Sequence, residues 1–159
     1  MKFAKNFNNR IAGGSNAWTP IPWQVMVRTS KKRLFCGGTI LDEFTILSAA
    51  SCEITSRNYI VAGAKSLKSG LPAGRRTQTR RVKNVINHPN ATFRYHPHDY
   101  SILKLRKPLN FNSPFNNVKP ACLPTANHVV PGDRFGDFAF ASGWGHQPTD
   151  CKFDFDFNI

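Results

Sequence analysis

Apolar residues along this chain come in short runs rich in β-branched and aromatic side chains, punctuated by Gly, Pro and Asn. Such runs occupy residues 25–28, 34–41, 44–48, 59–62, 81–86, 100–105 and 138–142. Each has the length of a strand, and no long stretch carries helical periodicity. The pattern therefore predicts an all-β barrel. No apolar run approaches the ~20 residues that a membrane span needs. Internal repeats and low-complexity segments are absent.

Length and charge refine this picture. A compact chain of 159 residues buries about 68–70% of its unfolded surface, enough for a sizeable core. The net charge is +13. Part of it sits in one segment: Lys65, Lys68, Arg75, Arg76, Arg80, Arg81 and Lys83 follow one another without a carboxylate. That segment favours heparin-like glycans, acidic proteins or anionic lipid; the bland alternative is a solvated face that aids solubility. No recognition motif points to nucleic acid as a specific partner. The first nine residues, Met1 to Asn9, are charged and lack the apolar core of ~7–15 residues that marks a secretion signal.

The most informative residues are Cys36-Gly37-Gly38-Thr39-Ile40-Leu41 and Leu47-Ser48-Ala49-Ala50-Ser51-Cys52. They stand in order with Arg10-Ile11-Ala12-Gly13-Gly14, Pro22-Trp23-Gln24-Val25, His98-Asp99-Tyr100-Ser101-Ile102-Leu103-Lys104-Leu105, Pro120-Ala121-Cys122-Leu123-Pro124 and Ala141-Ser142-Gly143-Trp144-Gly145. Together these resemble the trypsin-like serine proteases, peptidase family S1. The resemblance implies an all-β double β-barrel with the first barrel complete and the second truncated after its first strand. Residues 1–10 would be a pro-segment remnant or a new N-terminus, and 11–145 a partial protease domain. Within it fall a first barrel at about 23–109, a linker at about 110–133 and a first strand of the second barrel at about 134–145. Residues 146–159, with alternating Phe and Asp, match nothing in the family and read as a replacement end.

The same resemblance assigns the chemistry. In the family the residue before Cys52 is the His that takes the proton from the nucleophilic serine; here it is Ser51. Asp99 stands at the position of the triad acid. The expected arrangement is a Ser51 hydroxyl donating to the Asp99 carboxylate. A carboxylate is too weak a base to make Ser51 a nucleophile near neutral pH. The Gly-Asp-Ser-Gly-Gly run that carries the family's nucleophile is not among the residues after Gly145. The expectation is a serine-type endopeptidase homologue without peptidase activity. The alternatives are a non-catalytic binding module using the basic segment, and a partial copy of an active secreted endopeptidase.

Arg10 and Ile11 resemble the activation site, where cleavage frees an Ile or Val amino group. Cys36 and Cys52 occupy the positions of the family disulfide, a loop closure worth ~3 kcal/mol in the chain-entropy model. Cys122 matches a family position that often bridges to a cysteine this sequence does not show, and Cys151 falls in the unmatched residues; an even count allows Cys122–Cys151, but two unpaired thiols are the expectation. His88, His96, His98 and Asp99 fit no standard zinc spacing, and with His98 and Asp99 taken as strand neighbours their side chains would diverge. The segment after residue 62 lacks the acids of the family's calcium loop. No metal or cofactor is implied. Asn90-Ala91-Thr92 is a glycosylation acceptor in a secreted chain, and the resemblance makes the protein extracellular. The apolar face that meets the second barrel in the family would need another chain to cover it.

Overall fold

A computed structural model describes residues 17, 21–31, 33–65, 77–92, 98–112, 117–124 and 141–144. Strands β1 (Gln24–Arg28), β2 (Leu34–Ile40), β3 (Thr45–Ser48), β4 (Tyr59–Ala62), β5 (Gln78–Asn87) and β6 (Ser101–Leu105) form them, with one 3₁₀ turn, Ala50–Cys52, after β3. The strands close in the order β1-β2-β3-β6-β5-β4, every pair antiparallel. Among the described strands, closure leaves no edge open for pairing with another chain.

The interior follows the period of two. In β6, Ser101, Leu103 and Leu105 are buried while Lys104 is exposed. Val25, Val27, Ile40, Ile46, Ile60, Ala62, Val82, Leu103 and Leu105 fill the barrel, and Leu109 and Val118 join them. Strand β1 breaks the alternation, because Val25, Met26 and Val27 are all fully buried. The outward-pointing Met26 packs with Val61 and Ala64 in a second cluster, against which Leu34 and Trp144 lie. Trp144 Nε1 donates to the Lys65 carbonyl at 3.2 Å, and Gln24 Nε2 to the Ser142 carbonyl at 2.8 Å. Residues 141–144 thus dock on the outside of β1 and β4. They form no strand, unlike the expectation for 134–145, whose remaining residues lie outside the described ones.

Local chemistry sets the boundaries. The Asp42 carboxylate accepts the Phe44 N–H at 2.7 Å, an Asx turn that delays β3 to Thr45. Strand β5 starts at Gln78, ahead of the run read from residue 81, because Gln78 to Arg81 pair with Ala62 to Tyr59 despite their polarity. Before β6, His98 adopts φ 54° and the Tyr100 N–H donates to the His98 carbonyl at 2.8 Å. His98 and Asp99 therefore lie in a tight turn, not on a strand, which corrects the reading of them as strand neighbours.

Candidate functional site

Three ties hold the turn after β3 in place. The Ser101 hydroxyl donates to the Ala49 carbonyl at 3.2 Å, the Ser48 hydroxyl to the Gly37 carbonyl at 2.8 Å, and Cys36 and Cys52 are disulfide-bonded with Cα atoms 6.2 Å apart. Glu53 ends the turn in the left-handed region, its N–H returning to the Ala50 carbonyl. Ser51 is thereby fixed facing the Asp99 turn. Its N–H donates to Asp99 Oδ1 and its hydroxyl to Asp99 Oδ2, each at 2.7 Å. One residue engages both carboxylate oxygens, and charge-assisted bonds of this length are strong ones.

This arrangement satisfies the half-buried carboxylate and provides no proton acceptor with imidazole basicity. The Ser51 hydroxyl proton is already directed at Asp99, so neither group is poised to activate a nucleophile. Arg10 and Ile11, which resemble the family's activation site, lie outside the described residues, as do Cys151 and His96. Cys122 is exposed and unbridged.

The described histidines form a ring cluster instead of a ligand set. His88 and His98 stack with centroids 4.6 Å apart and planes at 22°, and Tyr100 leans on His88 at 4.6 Å. Imidazole lone pairs lie in the ring plane, so stacked rings do not aim them at one point. Among the described residues no group of three or more His, Cys, Asp or Glu is arranged to hold a metal.

The basic segment divides. Arg75, Arg76 and Lys68 lie outside the described residues. Arg80, read from sequence as an anion ligand, is tied down: Nε donates to the Pro108 carbonyl at 2.6 Å, Nη1 to the Thr79 carbonyl at 3.0 Å and Nη2 to Gln78 Oε1 at 2.7 Å. Burial also lowers its pKa from the ordinary arginine value. These bonds clamp β5 to the segment after β6. Arg81 and Lys83 are exposed. Arg81 Nε donates to the Ser56 carbonyl at 3.2 Å while its guanidinium lies 5.7 Å over the Tyr59 ring.

Pairing brings further cations beside these two, which the sequence reading missed. Arg57 follows the Ser56 that Arg81 contacts, and the Arg106 N–H donates to the Arg81 carbonyl at 2.9 Å. Arg57, Arg106 and Lys107 are exposed. Only the register of β4, β5 and β6 reveals this grouping. Of the chain's nine acidic residues, Asp42, Glu43, Glu53 and Asp99 are described, and none lies on β5.

On another side, the exposed aromatics Trp23 and Phe35 flank a groove of about 620 Å³ floored by Cys36 to Thr39 and walled by Ser142 to Trp144.

A closed six-stranded antiparallel barrel with a disulfide beside a half-buried acid is one half of the two-barrel serine-protease architecture. A sequence model described as Trypsin matches residues 11–154, past residue 145 where the motif reading ends, and the chain belongs to that family. It is 34% identical to coagulation factor IX of Cavia porcellus over 140 residues, 86% of this chain and 46% of the relative. Coagulation factor IX of Oryctolagus cuniculus is 35% identical over the same share of this chain and 48% of its own length. Vitamin K-dependent protein C of Rattus norvegicus is 30% identical over 82% of this chain and 27% of its own. The chain thus spans less than half the length of these relatives. Among solved structures, human heparin binding protein superposes with a TM-score of 0.65 at 24% identity, over 76% of this chain and 52% of that one. Neuropsin, a serine protease of mouse brain, superposes with a TM-score of 0.54 at 28% identity, over 69% and 45%.

Proposed function

We propose that this chain is a non-catalytic member of the trypsin family that acts outside the cell by binding polyanions on its outer barrel face. The observation that carries the loss of catalysis is the double hydrogen bond from Ser51 to Asp99, each at 2.7 Å. It occupies the triad acid with a residue that cannot serve as general base. Removing a triad base alone costs on the order of 10⁶ in turnover in a serine protease that carries the same triad on an unrelated fold.

The binding reading is supported by the exposed Arg57, Arg81, Lys83, Arg106 and Lys107, gathered where no acidic residue of β5 intervenes. Clustered cations raise the local potential where dispersed ones are screened beyond ~8 Å at physiological salt. Extracellular placement is supported by the Cys36–Cys52 disulfide and by the similarity to coagulation factor IX. Purified protein, before and after cleavage at Arg10–Ile11, should take no label from an active-site fluorophosphonate; labelling would overturn the non-catalytic reading. Retention on a heparin column that falls with salt should accompany it, and flow-through at low salt would remove the binding reading.

A further inference from the structure

We infer that Asn90 is an N-glycosylation site whose first sugar packs against the His88–His98–Tyr100 ring cluster. This rests on the extracellular placement above.

The acceptor sequence Asn90-Ala91-Thr92 follows β5 on a tight turn, with Pro89 and Asn90 at its centre and the Ala91 N–H donating to the His88 carbonyl at 3.0 Å. Asn90 and Thr92 are both exposed. The Asn90 backbone N–H donates to His88 Nδ1 at 3.2 Å. That bond fixes the Asn90 backbone beside the imidazole of a residue two positions earlier, while Asn90 itself stays exposed. An acceptor asparagine must be reached by a transferase, so an exposed turn tip is the right setting.

Two residues before Asn90 the rings begin. His88 stacks on His98 and touches Tyr100, with both centroid distances 4.6 Å, and His98 meets Tyr100 edge-on at 6.5 Å. Tyr100 stays 44% exposed. Three rings held against one another, with Tyr100 partly open to water, offer an aromatic shelf beside a polar turn. The face of a pyranose that carries its C–H groups suits such a shelf, because it removes apolar surface from water on both partners. The cluster has no other assigned role: its stacked geometry does not suit a metal.

The covalent step is a glycosyl transfer. Asn90 Nδ2 attacks the anomeric carbon of an oligosaccharide carried on a polyisoprenyl diphosphate. The new C–N bond forms as the C–O bond to the diphosphate breaks, the amide gives up one proton, and the polyisoprenyl diphosphate leaves with the bonding pair. Thr92 supplies the hydroxyl at the second position after the acceptor that the sequence rule demands.

The full chain, expressed behind an added secretion signal in glycosylating eukaryotic cells, tests this independently of its natural route. Intact mass should drop by one N-glycan on treatment with a peptide N-glycosidase, with Asn90 then read as Asp. Asn90→Gln and Thr92→Ala should each abolish the drop. Chain recovered from microsomes with Asn90 unmodified would overturn the site. Export without the added signal is a separate measurement and bears only on the extracellular placement. For the packing, the N-acetyl methyl resonance of the first sugar should be shifted upfield by ring currents and return on Tyr100→Ala. A methyl resonance at the free-sugar position in the unmutated glycoprotein would overturn the shelf.

Discussion

Ser51 meets both oxygens of Asp99, through its N–H at one and its hydroxyl at the other, each at 2.7 Å. The family's architecture is retained around this pair, with the disulfide at Cys52 and the Ser101 hydroxyl tying β6 to Ala49. The carboxylate that the family resemblance puts at the triad-acid position accepts both bonds from one residue. The site has become a latch between the turn after β3 and the turn before β6.

That latch predicts a stability cost without any change in activity. Ser51→Ala removes the hydroxyl donor and leaves the backbone bond, so the chain should lose about 1.5–3 kcal/mol, the range for a hydrogen bond to a charged group. Asp99→Asn should cost more, since an amide nitrogen in place of one oxygen faces a donor. Urea unfolding of the three proteins measures both; a Ser51→Ala protein as stable as the parent would refute the latch.

Adjacent glycines in β2 should respond in opposite ways to a single methyl. A Cβ on Gly38 would lie 2.8 Å from Ile46 Cγ2, 2.9 Å from the Leu47 carbonyl oxygen and 3.2 Å from Val25 Cγ2. One of these is backbone and cannot swing away, so Gly38→Ala should destabilise by about 1–3 kcal/mol. A Cβ on Gly37 meets only the Val25 carbonyl oxygen at 3.8 Å, ordinary contact. Gly37→Ala should therefore unfold at nearly the parent's urea midpoint, and equal losses at the two sites would contradict the packing described.

What the sequence made legible was the part encoded by runs of residues. Tyr59 to Ala62 reads as a strand from its own side chains, and Ser51 reads as a substitution because the motif around Cys52 survives. Gln78 to Arg81 does not, since its strand character comes from pairing with β4 and not from apolar content. The same cause hid the division between Arg80 and Arg81. They are neighbours in a basic segment, yet alternation sends one towards Pro108 and Gln78 and the other out over Tyr59. His98 took a left-handed turn conformation that no local residue pattern announces.

Acid sensitivity should trace in part to the β2–β3 turn. Partial burial pushes the Asp42 carboxyl up, but the Phe44 N–H, the hydrogen bonds from Thr45 and the Lys104 cation outweigh it, and its pKa lies below the ordinary value. A carboxyl with a lower pKa folded than unfolded stabilises the fold above about pH 4 and loses that contribution as pH falls through its folded value. Asp42→Asn should flatten this part of the acid limb in a plot of urea stability against pH. A limb of unchanged slope would show that Asp42 adds nothing to it.

The last prediction separates two neighbouring arginines of β5, one a clamp and one in the proposed surface. Arg80 makes three hydrogen bonds, to Pro108, Thr79 and Gln78, and Gln78 in turn pairs with Asn110 through its Nε2 and Oε1. Arg80→Ala should therefore lower stability by about 0.5–1.5 kcal/mol, since the exposed Pro108 and Thr79 carbonyls can turn to water and Gln78 Oε1 keeps the Asn110 N–H. Its heparin retention should fall little while the protein stays folded. Arg81 and Lys83 are exposed, and the cation over Tyr59 is worth only ~0.5–1 kcal/mol at such a site. The Arg81→Ala/Lys83→Ala double variant should keep its melting temperature within a few degrees of the parent. It should nevertheless elute from heparin at lower salt, with a weaker dependence of retention on ionic strength, because two clustered charges are gone. Melting curves and salt-gradient elution on the same preparations decide the matter. If Arg80→Ala lost retention at full stability and the double variant did not, the assignment of clamp and surface cation would have to be exchanged.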